Sequence, residues 1–102
     1  MKYQRSESFL ADYQRLTPEE RALFRAAVRQ INEAYERRGA DGLPRWPAAL
    51  RIKPVRGAPG IWEMTWSFAG PDGRATFEFV TIDGEPAIRW RRIGTHRIFQ
   101  NP

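Results

Sequence analysis

The sequence has no cysteine and a single histidine among its 102 residues. Without cysteine there is no disulfide and no thiolate metal site, and one imidazole is too few for the usual zinc ligand sets. Neither a metal nor a cofactor is expected. Long apolar runs are missing too. None approaches the roughly 20 residues needed to span a bilayer, and the opening stretch "MKYQRSESFL" has no signal-peptide core. These absences point to a cytoplasmic protein that does not engage a membrane. No repeat or low-complexity tract is visible, and the length suits one domain over residues 1–102 with one core.

Acidic charge is in short supply. Seventeen lysines and arginines face 12 acids, for a net charge of +5. The imbalance sharpens over residues 86–102, which hold Arg89, Arg91, Arg92 and Arg97 and no acid. Such a stretch attracts phosphate or carboxylate and speeds encounters with polyanions. The one histidine, His96, sits inside it.

The first forty residues read as helical. Phe9, Leu10, Tyr13 and Leu16 follow helical spacing, which predicts a short helix near 6–15. Thr17 then precedes Pro18 and Glu20, the pattern of a capping box with proline in the first turn. From there Leu23, Phe24, Ala27, Val28, Ile31, Ala34 and Tyr35 form one apolar stripe that Gly39 closes. A helix over about 18–38 follows, and the two helices make a hairpin. "ADGLPRWPAAL" (40–50) is a connector, in which Trp46 is the one tryptophan free to be exposed.

After residue 50 the period changes from helical to two. "LRIKPV" is a short edge strand, since Pro54 has no N–H to donate. "IWEMTWSF" (61–68) sets Trp62, Met64, Trp66 and Phe68 against Glu63, Thr65 and Ser67. "RATFEFVTI" (74–82) sets Ala75, Phe77 and Phe79 against Arg74, Thr76 and Glu78, and "PAIRWRRI" (86–93) sets Ile88 and Trp90 against Arg89 and Arg91. Asp83-Gly84 is a strong type I′ hairpin signal. It pairs Ile82 with Glu85, Val80 with Ala87, Phe79 with Ile88, Glu78 with Arg89, Phe77 with Trp90, Thr76 with Arg91 and Arg74 with Ile93. For the "AGPDG" turn, pairing Phe68 with Ala75 brings Trp66 opposite Phe77 and Met64 opposite Phe79. The fold class is α+β: a helical hairpin on one face of a three- to four-stranded antiparallel sheet, the other face open.

That open face carries Glu63, Thr65, Ser67, Arg74, Thr76, Glu78, Arg89 and Arg91. A solvated face with a Glu78–Arg89 cross-strand pair is the plain reading of most of them. Arg74 differs, because it lies at the end of the sheet from which "GTHRIF" emerges. If Gly94 turns the chain there, His96 and Arg97 come back toward Arg74, and two guanidiniums and one imidazole converge on a phosphate-sized spot. Guanidinium binds phosphate oxygens bidentately, and imidazole moves protons near neutral pH. Phe99, three residues after His96, either stacks on a base or closes the core edge.

Read together, "LRIKPVRGAPGIWEMTWSFAGPDGRATFEFV" and "IRWRRIGTHRIFQNP" resemble the RelE/ParE superfamily of bacterial type II toxins. The family layout is two helices, a strand entered by a glycine, a hydrophobic, an aromatic and a glutamate, a strand opening with arginine, and a last strand ending in Gly-Thr-His-x-x-Tyr/Phe. The matching residues are Gly60-Ile61-Trp62-Glu63, Arg74 after Asp72-Gly73, and Gly94-Thr95-His96-Arg97-Ile98-Phe99. The match covers roughly residues 5–102.

The resemblance implies the toxin of a toxin–antitoxin system, and within the RelE branch an mRNA interferase: a metal-independent, ribosome-dependent endoribonuclease that stops translation. Its partners are the ribosome, mRNA and an antitoxin, usually encoded alongside. It implies that Arg74 holds the scissile phosphate, that His96 acts as acid or base, and that Phe99 orients or stacks on a base; Arg97 joins Arg74 on the phosphate. Where some family enzymes carry basic residues on the strand at 61–68, this chain has Glu63, Thr65 and Ser67, so Arg51 and Lys53, with Arg89 and Arg91, are the candidates for RNA binding. Position 99 is Phe and not Tyr, and position 97 is Arg where an acid is common. Two alternatives stay open: a ParE-like, non-enzymatic inhibitor of DNA gyrase, and a non-toxic module whose basic face only engages an antitoxin.

Overall fold

A computed structural model of the chain describes residues 1–42, 44–67 and 72–102. Side-chain caps set the starts of both helices. Ser6 Oγ accepts the Phe9 N–H at 3.0 Å and opens α1, Glu7–Gln14. Thr17 Oγ1 accepts the Glu20 N–H at 3.1 Å while the Glu20 carboxylate accepts the Thr17 N–H at 2.8 Å, the expected capping box, and α2 runs Pro18–Glu36. The helix stops at Glu36, short of the expected 38. The apolar stripe turns Phe24, Ala27 and Ile31 inward, and Phe9 of α1 meets the Phe24 ring at 5.8 Å.

Five strands form one sheet: β1 (Lys2–Arg5), β2 (Lys53–Pro54), β3 (Trp62–Ser67), β4 (Asp72–Ile82) and β5 (Glu85–Gly94), in the order β1-β5-β4-β3-β2. The α+β class stands, but the expected three or four strands become five. The added one is β1, which pairs parallel to β5 with Lys2 beside Ala87 and Arg5 beside Trp90. All four of its residues are exposed, so it has no apolar alternation to read. β2 is only two residues long and lies at the sheet's edge, where a proline without an N–H is tolerated.

The hairpin of β4 and β5 closes at Asp83-Gly84, both with positive φ as a type I′ turn requires. Its register is as expected from Ile82–Glu85 through Phe77–Trp90. Beyond that, a bulge between Thr76 and Phe77 changes it: Thr76 pairs with Arg92 in place of Arg91, and Arg74 with Gly94 in place of Ile93. The cause lies in "WRRI". Trp90 and Ile93 are three apart, so strict alternation would send Ile93 to the far face. One extra residue, Arg91, restores the parity, and Ile93 is buried.

The β3–β4 register also differs. Met64 lies opposite Ala75, Trp66 opposite Gly73 and Trp62 opposite Phe77. The expected pairs Trp66–Phe77 and Met64–Phe79 set large against large; the observed slide sets Trp66 and Met64 against small partners, and those positions interdigitate better. The slide is by an even number, so every side chain keeps its face. Ala75 pairs with Met64 and not with Phe68, and Phe68 with most of the "AGPDG" turn lies outside the described residues. The core sits between this face and the helices: Met64, Ala75, Phe77, Ile88 and Trp90 meet Phe9, Phe24 and Ile31, with Phe24 edge-on to Trp90 at 5.1 Å. Phe79, expected inside, is 40% exposed, with Trp46 stacked on it at 6.1 Å and Trp62 edge-on at 5.3 Å.

Candidate functional site

The face away from the helices is not left wholly open. β5 ends at Gly94, and the chain then makes a 3₁₀ turn over His96–Gln100. A Cβ built on Gly94 would lie 3.0 Å from Ile98 Cγ2. Gly94 and Arg74 are cross-strand partners and share a face, so Ile98 packs over the face from which Arg74 projects. Further on, the Pro102 backbone oxygen accepts from Thr76 Oγ1 at 3.0 Å and from Arg91 Nε at 3.2 Å. Thr76 stands between Arg74 and Glu78 on β4 and is fully buried. The tail therefore doubles back across the sheet.

Three residues per 3₁₀ turn eclipse positions 96 and 99, and the His96 and Phe99 rings meet edge-on at 5.1 Å. Ile98 faces the sheet and is buried, whereas His96 and Arg97 are exposed and Phe99 is half-buried. Among the described residues, no hydrogen bond or ion pair engages the imidazole of His96 or the guanidinium of Arg97. Both groups are free to meet a ligand.

Arg74 sits two residues across from this turn, paired with Gly94 on one side and Thr65 on the other. Its side chain is 19% exposed, with Nη1 3.6 Å from an Asp72 carboxylate oxygen and donating to the Gly73 carbonyl at 3.4 Å. Asp72 is more than half exposed. A solvated pair this long is weak and exchanges readily for a phosphate.

Lys53, Arg89 and Arg91 are balanced by acids. Glu78 lies 3.6 Å from Arg89 and 3.3 Å from Arg91, and Glu63 lies 3.7 Å from Lys53. The Glu78–Arg89 pair is the expected one, and Arg91 joins it because the bulge frees that residue from the ladder. Arg51 is exposed and ends the 3₁₀ turn Ala48–Leu50 in left-handed backbone. The structure thus groups His96, Arg97 and Phe99 on the tail at the Arg74 end of the sheet, and Glu78, Arg89 and Arg91 beyond Thr76. Arg51 and Lys53 belong to the β2 edge.

Two residues outside the expected site hold the tail. Asp12 of α1 takes Arg92 in a fork, Oδ2 from Nε at 2.6 Å and Oδ1 from Nη2 at 3.1 Å, and Oδ2 also accepts the Ile93 N–H at 3.1 Å. Arg92 Nη1 donates to the Asn101 carbonyl at 2.9 Å. The hydrogen bond to Asp12 raises the Arg92 guanidinium above its ordinary pKa, against a smaller opposing effect of burial. One sequence signal pointed to Asp12: it falls three residues after Phe9, on the helix's apolar face. Among the described residues no three His, Asp or Glu side chains gather as a metal-binding group, and no helix is long and apolar enough to cross a membrane.

No protein-family model matches the sequence, and a comparison with curated proteins finds no match either. Among solved structures, the YoeB/ParE toxin from Agrobacterium tumefaciens superposes with a TM-score of 0.52 over 94% of this chain and 99% of its own, at 18% identity. The chain has the RelE/ParE toxin fold.

Proposed function

We propose that this chain is the toxin of a toxin–antitoxin pair and that it acts in the cytoplasm by cutting mRNA on the ribosome. The observation that carries the reading is the tail, which presents an unengaged imidazole and guanidinium at the end of the sheet where Arg74 stands. Cleavage needs a 2′-hydroxyl to attack its own 3′-phosphate. The new P–O bond forms as the bond to the 5′-oxygen breaks, leaving a 2′,3′-cyclic phosphate and a 5′-hydroxyl. One proton leaves the 2′-oxygen and one reaches the 5′-oxygen. Arg74 and Arg97 stabilise the charge of the pentacoordinate phosphorus, and His96 carries one of the two proton transfers. Phe99, held edge-on by His96, offers its ring to a base, and Arg51, Lys53, Arg89 and Arg91 track the backbone. An antitoxin would cover this surface.

One observation favours a second reading. Lys53, Arg74, Arg89 and Arg91 all have acidic neighbours within 4 Å, as suits a face that docks a protein such as gyrase or an antitoxin and performs no chemistry. Induced expression separates the two. Under the nuclease reading, His96→Ala and Arg74→Ala each restore growth while circular dichroism shows an unchanged fold, and pulse labelling shows protein synthesis failing before DNA synthesis. If both variants arrest growth like the parent, the reading is wrong, and early loss of supercoiling would identify the gyrase alternative.

A further inference from the structure

Asp12 is only 8% exposed, on a helix face that also carries Phe9. A carboxylate survives in such a place only when its oxygens are filled, and here Arg92 and the Ile93 N–H fill them. The arrangement does more than satisfy a buried acid. With Nε and Nη2 committed to Asp12, the remaining Nη1 of Arg92 fixes the Asn101 carbonyl, one residue past the His96–Gln100 turn. The near end of that turn is fixed by the Gly94–Arg74 pairing. The bulge is what aims Arg92: unbroken alternation would put it on the core face with Trp90.

We propose that Asp12 and Arg92 are positioning residues that set the tail so that His96 and Phe99 stand over the phosphate held by Arg74, an inference that rests on the nuclease reading. Neither residue touches substrate. Their geometry needs a planar fork with three donors in fixed directions, which lysine lacks.

The test compares Arg92→Lys with the parent in two measurements, both below the onset of melting. Amide exchange over residues 96–101 should speed up by about tenfold while α2 and β4 keep their protection, because only the tail is released. Cleavage of ribosome-bound mRNA should lose kcat by about 30- to 100-fold with KM shifted by less than about threefold, as for misplaced rather than missing groups. Asp12→Asn retains an acceptor for the Ile93 N–H and should move both readouts the same way; it replaces Arg92→Lys if that variant does not fold. A freed tail with undiminished kcat overturns the positioning role and leaves the nuclease reading intact. Unchanged exchange overturns the clamp itself. If the parent cleaves nothing, the nuclease reading fails and the positioning role fails with it.

Discussion

At the scale of single residues, candidate chemistry-bearing side chains are easier to read from a sequence than the ones that would hold them in place. His96 and Arg74 stood out because a unique histidine in an acid-free stretch and an arginine after a turn are visible without coordinates. Asp12 hid because its partner is 80 residues away, and a lone acid on an apolar helix face reads as a boundary of the stripe. Gly94 was read as a turn residue; its role is space. An added methyl would meet Ile98 Cγ2 at 3.0 Å, and Ile98 is buried under the tail. Gly94→Ala should cost about 1–2 kcal/mol by overpacking, visible as a lower urea midpoint with an unchanged slope. An unshifted midpoint would mean that the tail moves aside freely.

At the scale of elements, legibility followed periodicity. The capping box of α2 and the Asp83-Gly84 hairpin were readable from local chemistry alone and formed as expected. Replacing Thr17 with Ala should therefore destabilise by about 1 kcal/mol, a drop in Tm of about 4–8 °C for a domain near this size. A shift below one degree would show that α2 is held by packing and not by its cap. β1 was unreadable because all of its residues face solvent and it forms only against a strand from the other end of the chain. The β3–β4 slide was unreadable for a different reason: apolar faces match in either register, and only the sizes of facing side chains choose between them.

For the whole molecule, the count of 17 lysines and arginines overstates what the nuclease reading has free to grip RNA. Arg89 and Arg91 reach a phosphate only by letting go of Glu78, and Lys53 by letting go of Glu63, whereas Arg97, Arg51 and Arg74, whose Asp72 neighbour is more than half exposed, are the cations best placed to meet phosphates at once. Three such contacts give a slope near about −2 in log K against log salt for single-stranded RNA, at roughly −0.7 per phosphate. Binding measured between 50 and 300 mM salt, approximate bounds that span the usual range for such assays, should show this shallow dependence. A slope of about −4 or steeper would mean that the Glu78 and Glu63 pairs all open on binding.

The parallel pairing of β1 with β5 carries a consequence for how the protein is made. Lys2 lies beside Ala87, and Asp12 waits for Arg92, so β1 and the Asp12 carboxylate have no partner until a segment some 80 residues further along has been made. Closure over so long a separation is slow, and it cannot begin on a nascent chain that still lacks its ninth decade of residues. The β1 edge of the sheet is thus the part of the fold that no local signal can hurry, and it closes only when β5 is there to receive it.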